Sequence, residues 1–130
     1  MLRTDFGTDG QGHKVEKITL TNQSGTRVEI GTMGAAIVSF VFKDKHGVDR
    51  DVVLGYDTGE EYFRCGTCFG QTVGRNCNRI ANAQVTIDGV TYQLEANDGT
   101  NNLHSGINGY ENKVWDVERM DEEANSVTLS

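Results

Sequence analysis

The chain has 130 residues, enough for one domain with a real core, and a formal net charge of −7 at neutral pH. An acidic surface repels phosphate groups, so we expect neither a nucleic acid nor an anionic membrane as a partner. No run of about 18 apolar residues occurs, and the first ten residues lack an apolar segment, so we expect no membrane-spanning helix and no secretory signal.

The apolar residues recur mostly at every second position, which predicts β-strands. Two hairpins are marked by their turns: NQSG lies between VEKITLTN and TRVEIG, and Asp88–Gly89 lies inside QVTIDGVTYQL. Further strands are predicted at 35–42 (buried on both faces), 51–57 (short and buried), 113–119 and 125–130. Residues 58–63 favour one helical turn at most, and residues 5–14 are expected to form a mobile loop. Because the last strand lacks a closing turn, we expect a truncated single domain over residues 1–130.

The three cysteines are an odd number, which fits a reducing compartment and predicts a cytoplasmic protein. Cys65 and Cys68 have the C-x-x-C spacing of redox proteins, but the glycine-rich stretch that follows makes a poor helix. A zinc site would need four ligands, and Cys77 with a distant histidine lacks the paired spacing. We therefore expect free, partly buried thiols and no metal.

The segment TVGRNCNRIANAQ, residues 72–84, interleaves two arginines with three asparagines. Arginine offers five fixed donors and asparagine both a donor and an acceptor, which suits a ligand that carries several hydroxyl groups. The alternative is a turn whose side chains bond local carbonyl groups, and the pattern favours neither. The five residues are Arg75, Asn76, Asn78, Arg79 and Asn82.

The segment GTNNLHSGING, residues 99–109, places His104 among residues typical of a loop. An imidazole has an ordinary pKa near 6.5, so it can donate or accept a proton at neutral pH. A lone histidine is more often an ordinary surface or core residue. Here a hairpin separates His104 from Arg79 and returns the chain, so the two can face the same side of a sheet.

Five blocks of the sequence occur in this order: LTNQSGTRVEIGTMGAAIVSF, DVVLGYDTGEEY, FGQTVGRNCNRIANAQVTIDGVTYQL, NNLHSGINGY and VW. Taken together, they resemble the N-terminal part of the aldose 1-epimerase (galactose mutarotase) family. The resemblance implies an antiparallel β-sandwich that interconverts the α and β anomers of free hexoses by acid–base ring opening, without a cofactor. It implies that Asn78 and Arg79 bind sugar hydroxyls. His104 would correspond to the first of two active-site histidines, near the ring oxygen of a monosaccharide substrate.

The resemblance also has departures. The family's second histidine, a sugar-binding aspartate and the glutamate base correspond to nothing in these 130 residues. HSG replaces the common HGG, and YFRCGTCFG replaces a stretch that contains proline. Two alternatives to an enzyme therefore stay open, a non-catalytic carbohydrate-binding fragment or remnant and an unrelated small β domain.

Overall fold

The computed structural model describes residues 1–130, and its largest element is a five-stranded antiparallel sheet with strands in chain order. The strands are β1 (Leu2–Thr8), β2 (Lys14–Thr21), β3 (Arg27–Gly31), β4 (Ala36–Lys43) and β5 (Asp49–Asp51). The predicted loop at residues 5–14 is wrong in its first part, because residues 5–8 pair with β2. The residue that ties β1 to the core is Phe6, which is buried among residues distant in the sequence.

The β2–β3 hairpin confirms the turn predicted from NQSG. The side-chain oxygen of Asn22 accepts from the backbone N–H groups of Ser24 and Thr26 at 3.0 Å each. This local bonding fixes the turn and with it the register, in which Ile18 lies opposite Ile30.

One face of the sheet is covered by helix α1 (Gly59–Cys65). Thr58 and Glu61 form a capping box, since each side chain accepts from the backbone N–H of the other. The helix has seven residues, so it is longer than the single turn predicted. It buries Tyr62 against a core that also contains Phe6, Val15, Met33, Ala36 and Val38. No helix of the structure is long and apolar enough to span a membrane.

The opposite face of the sheet is apolar and partly open. Ile37, Phe40 and Phe42 on β4 are 42%, 39% and 38% exposed, so the expected burial of this strand on both faces is wrong. The predicted buried strand at 51–57 is also wrong, because β5 ends at Asp51 and Leu54 is 71% exposed. In both cases no element of these 130 residues covers the apolar side chains.

Three two-stranded sheets follow the helix, and the predicted all-β, antiparallel fold is confirmed. They pair β6 (Arg79–Ile80) with β9 (Asn102–Leu103), β7 (Gln84–Ile87) with β8 (Val90–Gln93), and β10 (Val117–Asp121) with β11 (Ser126–Leu129). Short 3₁₀ helices lie at Ala81–Ala83 and Tyr110–Asn112. The β7–β8 hairpin turns at Asp88 and Gly89, whose φ values of 49° and 78° confirm the predicted turn.

Candidate functional site

The pairing of β6 with β9 brings together the two polar segments indicated by the sequence, residues 72–84 and 99–109. Arg79 lies opposite Leu103 in this ladder. One position beyond it, the backbone N–H of His104 donates to the carbonyl oxygen of Asn78 at 3.2 Å. Asn78, Arg79 and His104, the three predicted site residues, therefore come together at one end of the β6–β9 pair.

The imidazole of His104 has a defined orientation. The backbone N–H of Asn78 donates to its Nδ1 at 3.0 Å. Because a nitrogen that accepts a hydrogen bond carries no proton, the ring is neutral in this arrangement and its proton is on Nε2. The half-buried ring thus presents an N–H donor on its far side.

The exposed side chains of Asn78 and Arg79 use only part of their hydrogen-bonding capacity within the chain. The amide oxygen of Asn78 accepts from the backbone N–H of Arg79 at 2.9 Å, and the NH₂ group of Asn78 has no acceptor in the chain. The guanidinium of Arg79 donates through Nε to the Oδ2 of Asp98 at 2.6 Å, and its Nη hydrogens have no acceptor in the chain. Both groups are available to a ligand with several oxygen atoms.

The backbone of the site contains residues in the left-handed region. Asn78, His104 and Ser105 have φ values of 63°, 52° and 68°. Such conformations cost on the order of 1–3 kcal/mol each and persist where the surrounding structure enforces them. Gly106 follows with φ +93°, and a Cβ there would lie 2.2 Å from the Oε2 of Glu95. The turn after His104 therefore requires glycine at position 106.

A buried asparagine joins the two segments behind these side chains. Asn102 is 1% exposed; its Nδ2 donates to the carbonyl oxygen of Glu95 at 2.8 Å, and its Oδ1 accepts from the Nδ2 of Asn76 at 3.2 Å. The hydroxyl of Ser105 also accepts from the backbone N–H of Asn76, at 2.8 Å. The sequence pattern does not indicate Asn102, because its neighbours are hydrophilic and a buried asparagine among them looks like an exposed one.

The C-x-x-C segment lacks the geometry of a redox site. Cys65 is the last residue of α1, whereas a reactive thiolate is stabilised at a helix N-terminus. Burial, with a smaller contribution from the charge of Glu111, raises the pKa of the Cys68 thiol. The expected free thiols are confirmed, but only Cys68 is partly buried, since Cys65 and Cys77 are exposed. No three His, Cys, Asp or Glu side chains come together in a way that could hold a metal ion.

The glycine-rich turn between β1 and β2 directs its amides to an internal carboxylate. The Oδ1 of Asp9 accepts from the backbone N–H groups of Gln11 and His13 at 2.8 and 3.0 Å, and its Oδ2 lies 2.6 Å from the Nδ1 of His13. Burial favours the neutral carboxyl, but these hydrogen bonds outweigh it and lower the pKa of Asp9. The backbone N–H groups of Gln11 and His13 are therefore already occupied by a carboxylate of the chain itself.

A family model for aldose 1-epimerase matches residues 16–130, and the chain belongs to this family. The resemblance inferred from the sequence motifs is thus confirmed, and an unrelated β domain is excluded. Among curated relatives, the galactose mutarotase of Sus scrofa is 41% identical over 117 residues, which cover 88% of this chain and 34% of that protein. The aldose 1-epimerase of Escherichia coli strain K12 is 34% identical over 109 residues, which cover 84% of this chain and 31% of that protein.

Solved structures of the family share the fold. A GalM/aldose epimerase homologue from C. elegans superimposes with a TM-score of 0.75 at 36% identity, over 81% of this chain and 32% of that one. A galactose 1-epimerase from Lactobacillus acidophilus superimposes with a TM-score of 0.76 at 27% identity, over 93% of this chain and 35% of that one. The chain spans about a third of the length of the curated relatives it matches.

Proposed function

We propose that this protein acts as an aldose 1-epimerase, which interconverts the α and β anomers of free hexoses such as galactose and glucose. In this proposal Asn78, Arg79 and His104 bind the monosaccharide, and His104 also takes part in catalysis. The observation that carries it is the β6–β9 pair, which joins the two polar segments at one place on the surface. Membership of the aldose 1-epimerase family supplies the reaction class. The three free cysteines fit the expected cytoplasmic location.

The available donors match what an opening pyranose needs. Ring opening transfers a proton to the ring oxygen while another group removes the proton of the C1 hydroxyl. Because Nδ1 of His104 is already occupied by the N–H of Asn78, its Nε2–H can donate a hydrogen bond to the ring oxygen and stabilise the negative charge that develops there as the bond to C1 breaks. A neutral imidazole is too weak an acid to give up this proton, so the proton that the ring oxygen gains comes from another acid. The Nη groups of Arg79 and the NH₂ group of Asn78 can donate to hydroxyl oxygens and so fix the ring against His104. None of these steps requires a cofactor.

The base that removes the C1 proton is the component these residues do not supply. By the family resemblance this base would be a glutamate outside the 130 residues, and the chain covers only about a third of its relatives' length. A general base contributes roughly 10²–10⁴ in rate. The partial coverage of the relatives therefore favours a second candidate function for the 130-residue chain alone, which is carbohydrate binding without catalysis.

Sugar binding is tested on the 130-residue chain by titrating the ¹⁵N-labelled protein with galactose. We expect the backbone resonances of Asn78 and His104 to shift, and His104→Gln to abolish the shift. His46→Gln is the matched control, since His46 lies exposed in the turn between β4 and β5 and its ring makes no hydrogen bond. A wild-type spectrum that galactose leaves unchanged would contradict the proposed site.

Catalysis is tested by polarimetry on freshly dissolved α-galactose. The 130-residue chain should accelerate mutarotation little. A chimera, in which this chain replaces the matching third of the Sus scrofa mutarotase, should accelerate it strongly. In the chimera His104→Gln should reduce the rate by about 10²–10⁴, and His46→Gln should not. A folded chimera that binds galactose without accelerating mutarotation would favour the binding function over the enzyme.

A further inference from the structure

We propose that Asp98 is a positioning residue, which orients the guanidinium of Arg79 and cancels its charge so that the site prefers uncharged sugars to phosphorylated ones. This inference rests on the proposed sugar-binding function of Arg79. Its basis is one contact between segments 19 residues apart, in which the Nε–H of Arg79 donates to the Oδ2 of Asp98 at 2.6 Å.

The loop before β9 holds Asp98 in place. The backbone N–H of Asp98 donates to the carbonyl oxygen of Asn101 at 3.1 Å, and the N–H of Asn101 donates back at 3.0 Å, which closes a tight turn. The side chain of Asn97 bonds both backbone groups of Leu103, at 2.7 and 2.9 Å. Because Leu103 lies opposite Arg79 in the β6–β9 ladder, this loop is fixed relative to the guanidinium it contacts.

The contact restricts how Arg79 can meet a ligand. A guanidinium carries five N–H groups in one plane, and Asp98 occupies the single one on Nε. The four hydrogens on Nη1 and Nη2 remain, as a planar fork that suits two neighbouring oxygen atoms. The Arg79 and Asp98 side chains are 58% and 36% exposed, so the pair contributes little to folding stability. Orientation of the fork is therefore its main physical effect.

The contact also changes the charge that a ligand meets. The carboxylate of Asp98 compensates the positive charge of Arg79, and the imidazole of His104 is neutral while its Nδ1 accepts from Asn78. A hydroxyl group needs only the hydrogen-bond donors, whereas a phosphate gains most from uncompensated positive charge. The geometry thus favours a neutral sugar over its phosphate ester.

The test compares three variants of the 130-residue chain by NMR. Asp98→Asn keeps the shape but removes the charge, and Asp98→Glu keeps the charge. Asp121→Asn is the control, because Asp121 accepts from Arg119 in an exposed pair within the β10–β11 hairpin. The readouts are the Nε–Hε resonance of Arg79 and the dissociation constants of galactose and of inorganic phosphate.

For Asp98→Asn we expect the Arg79 Nε–Hε resonance to move toward the position of an arginine without a charged partner, because a neutral amide oxygen is a weaker acceptor than a carboxylate. Galactose should bind about fivefold more weakly and phosphate about fivefold more tightly. Asp98→Glu should restore part of the galactose affinity, and Asp121→Asn should change neither constant. Opposite changes for the two ligands support the inference, because a structural defect would weaken both.

The inference is overturned if Asp98→Asn binds galactose as tightly as the wild type, or if it weakens galactose and phosphate binding equally. Either result leaves the proposed function standing, because the wild-type chain still binds sugar. If the wild-type chain itself binds no galactose, the proposed function fails and the substrate preference inferred here falls with it.

Discussion

Asn102 holds the candidate site together from behind, so its replacement by alanine should loosen both segments. The side chain is 1% exposed and makes two hydrogen bonds, to the carbonyl oxygen of Glu95 at 2.8 Å and from the Nδ2 of Asn76 at 3.2 Å. Asn102→Ala leaves both partners without these bonds. An unsatisfied group costs roughly 1–3 kcal/mol, and the half-buried surroundings favour the lower part of that range.

With a small addition for the space left by the amide, we expect the free energy of unfolding to fall by about 2–3 kcal/mol. For a chain of this length that corresponds to a decrease of about 7–11 °C in Tm. Thermal unfolding followed by circular dichroism measures it, with Asn108→Ala as control, because Asn108 is exposed and its side chain makes no hydrogen bond. An Asn102→Ala variant as stable as the control would refute the assignment of Asn102 as a structural link.

Three further predictions concern other parts of the chain. Burial raises the pKa of the Asp9 carboxyl, but the hydrogen bonds from the loop that follows it outweigh burial, so the net pKa is lowered. Its contribution to stability should therefore be complete above the unfolded pKa of about 3.8 and be lost as the pH falls through the lower folded value. In urea unfolding at acid pH, the free energy of unfolding of Asp9→Asn should depend less steeply on pH than that of the wild type. An equally steep dependence would contradict this prediction. Gly59→Ala should destabilise the chain by about 1–3 kcal/mol, since the added Cβ would lie 2.7 Å from the Cβ of Val15; an unchanged Tm would show that the helix can shift. Burial raises the pKa of Cys68, so iodoacetamide should modify the exposed Cys65 faster, as mass spectrometry of the peptides would reveal; equal rates would contradict this.

The hairpins could be predicted from the sequence because their determinants are local. The turn after β2 depends on the side chain of Asn22, which bonds amides two and four residues away. The β7–β8 turn depends on two adjacent residues that adopt positive φ. In both cases a few consecutive residues contain the whole physical cause.

The errors in the fold have a non-local cause. β1 contains a single buried apolar residue, Phe6, and becomes a strand because β2 offers it a partner. The residues after Asp51 have the composition of a buried strand, yet Val52 is 56% exposed and no strand pairs with them beyond β5. Hydrophobic composition shows that a segment gains from burial, but not whether these 130 residues contain the surface that would bury it.

The distinction between local and non-local causes also applies to the candidate site. The asparagines of residues 72–84 suited either a ligand or a turn, and their contacts show that they differ. The amide of Asn76 is used by Asn102, whereas the NH₂ group of Asn78 has no protein partner. The family resemblance, and not the residue pattern alone, indicated Asn78, Arg79 and His104 as site residues, and their roles stay a prediction. The hydrogen bonds that Arg79 makes to Asp98 and that His104 accepts from Asn78 could not be read from the pattern, because they join residues far apart in the chain. The contact between Arg79 and Asp98 joins residues 19 positions apart, so the structure, and not the sequence pattern, was needed to propose Asp98 for a test.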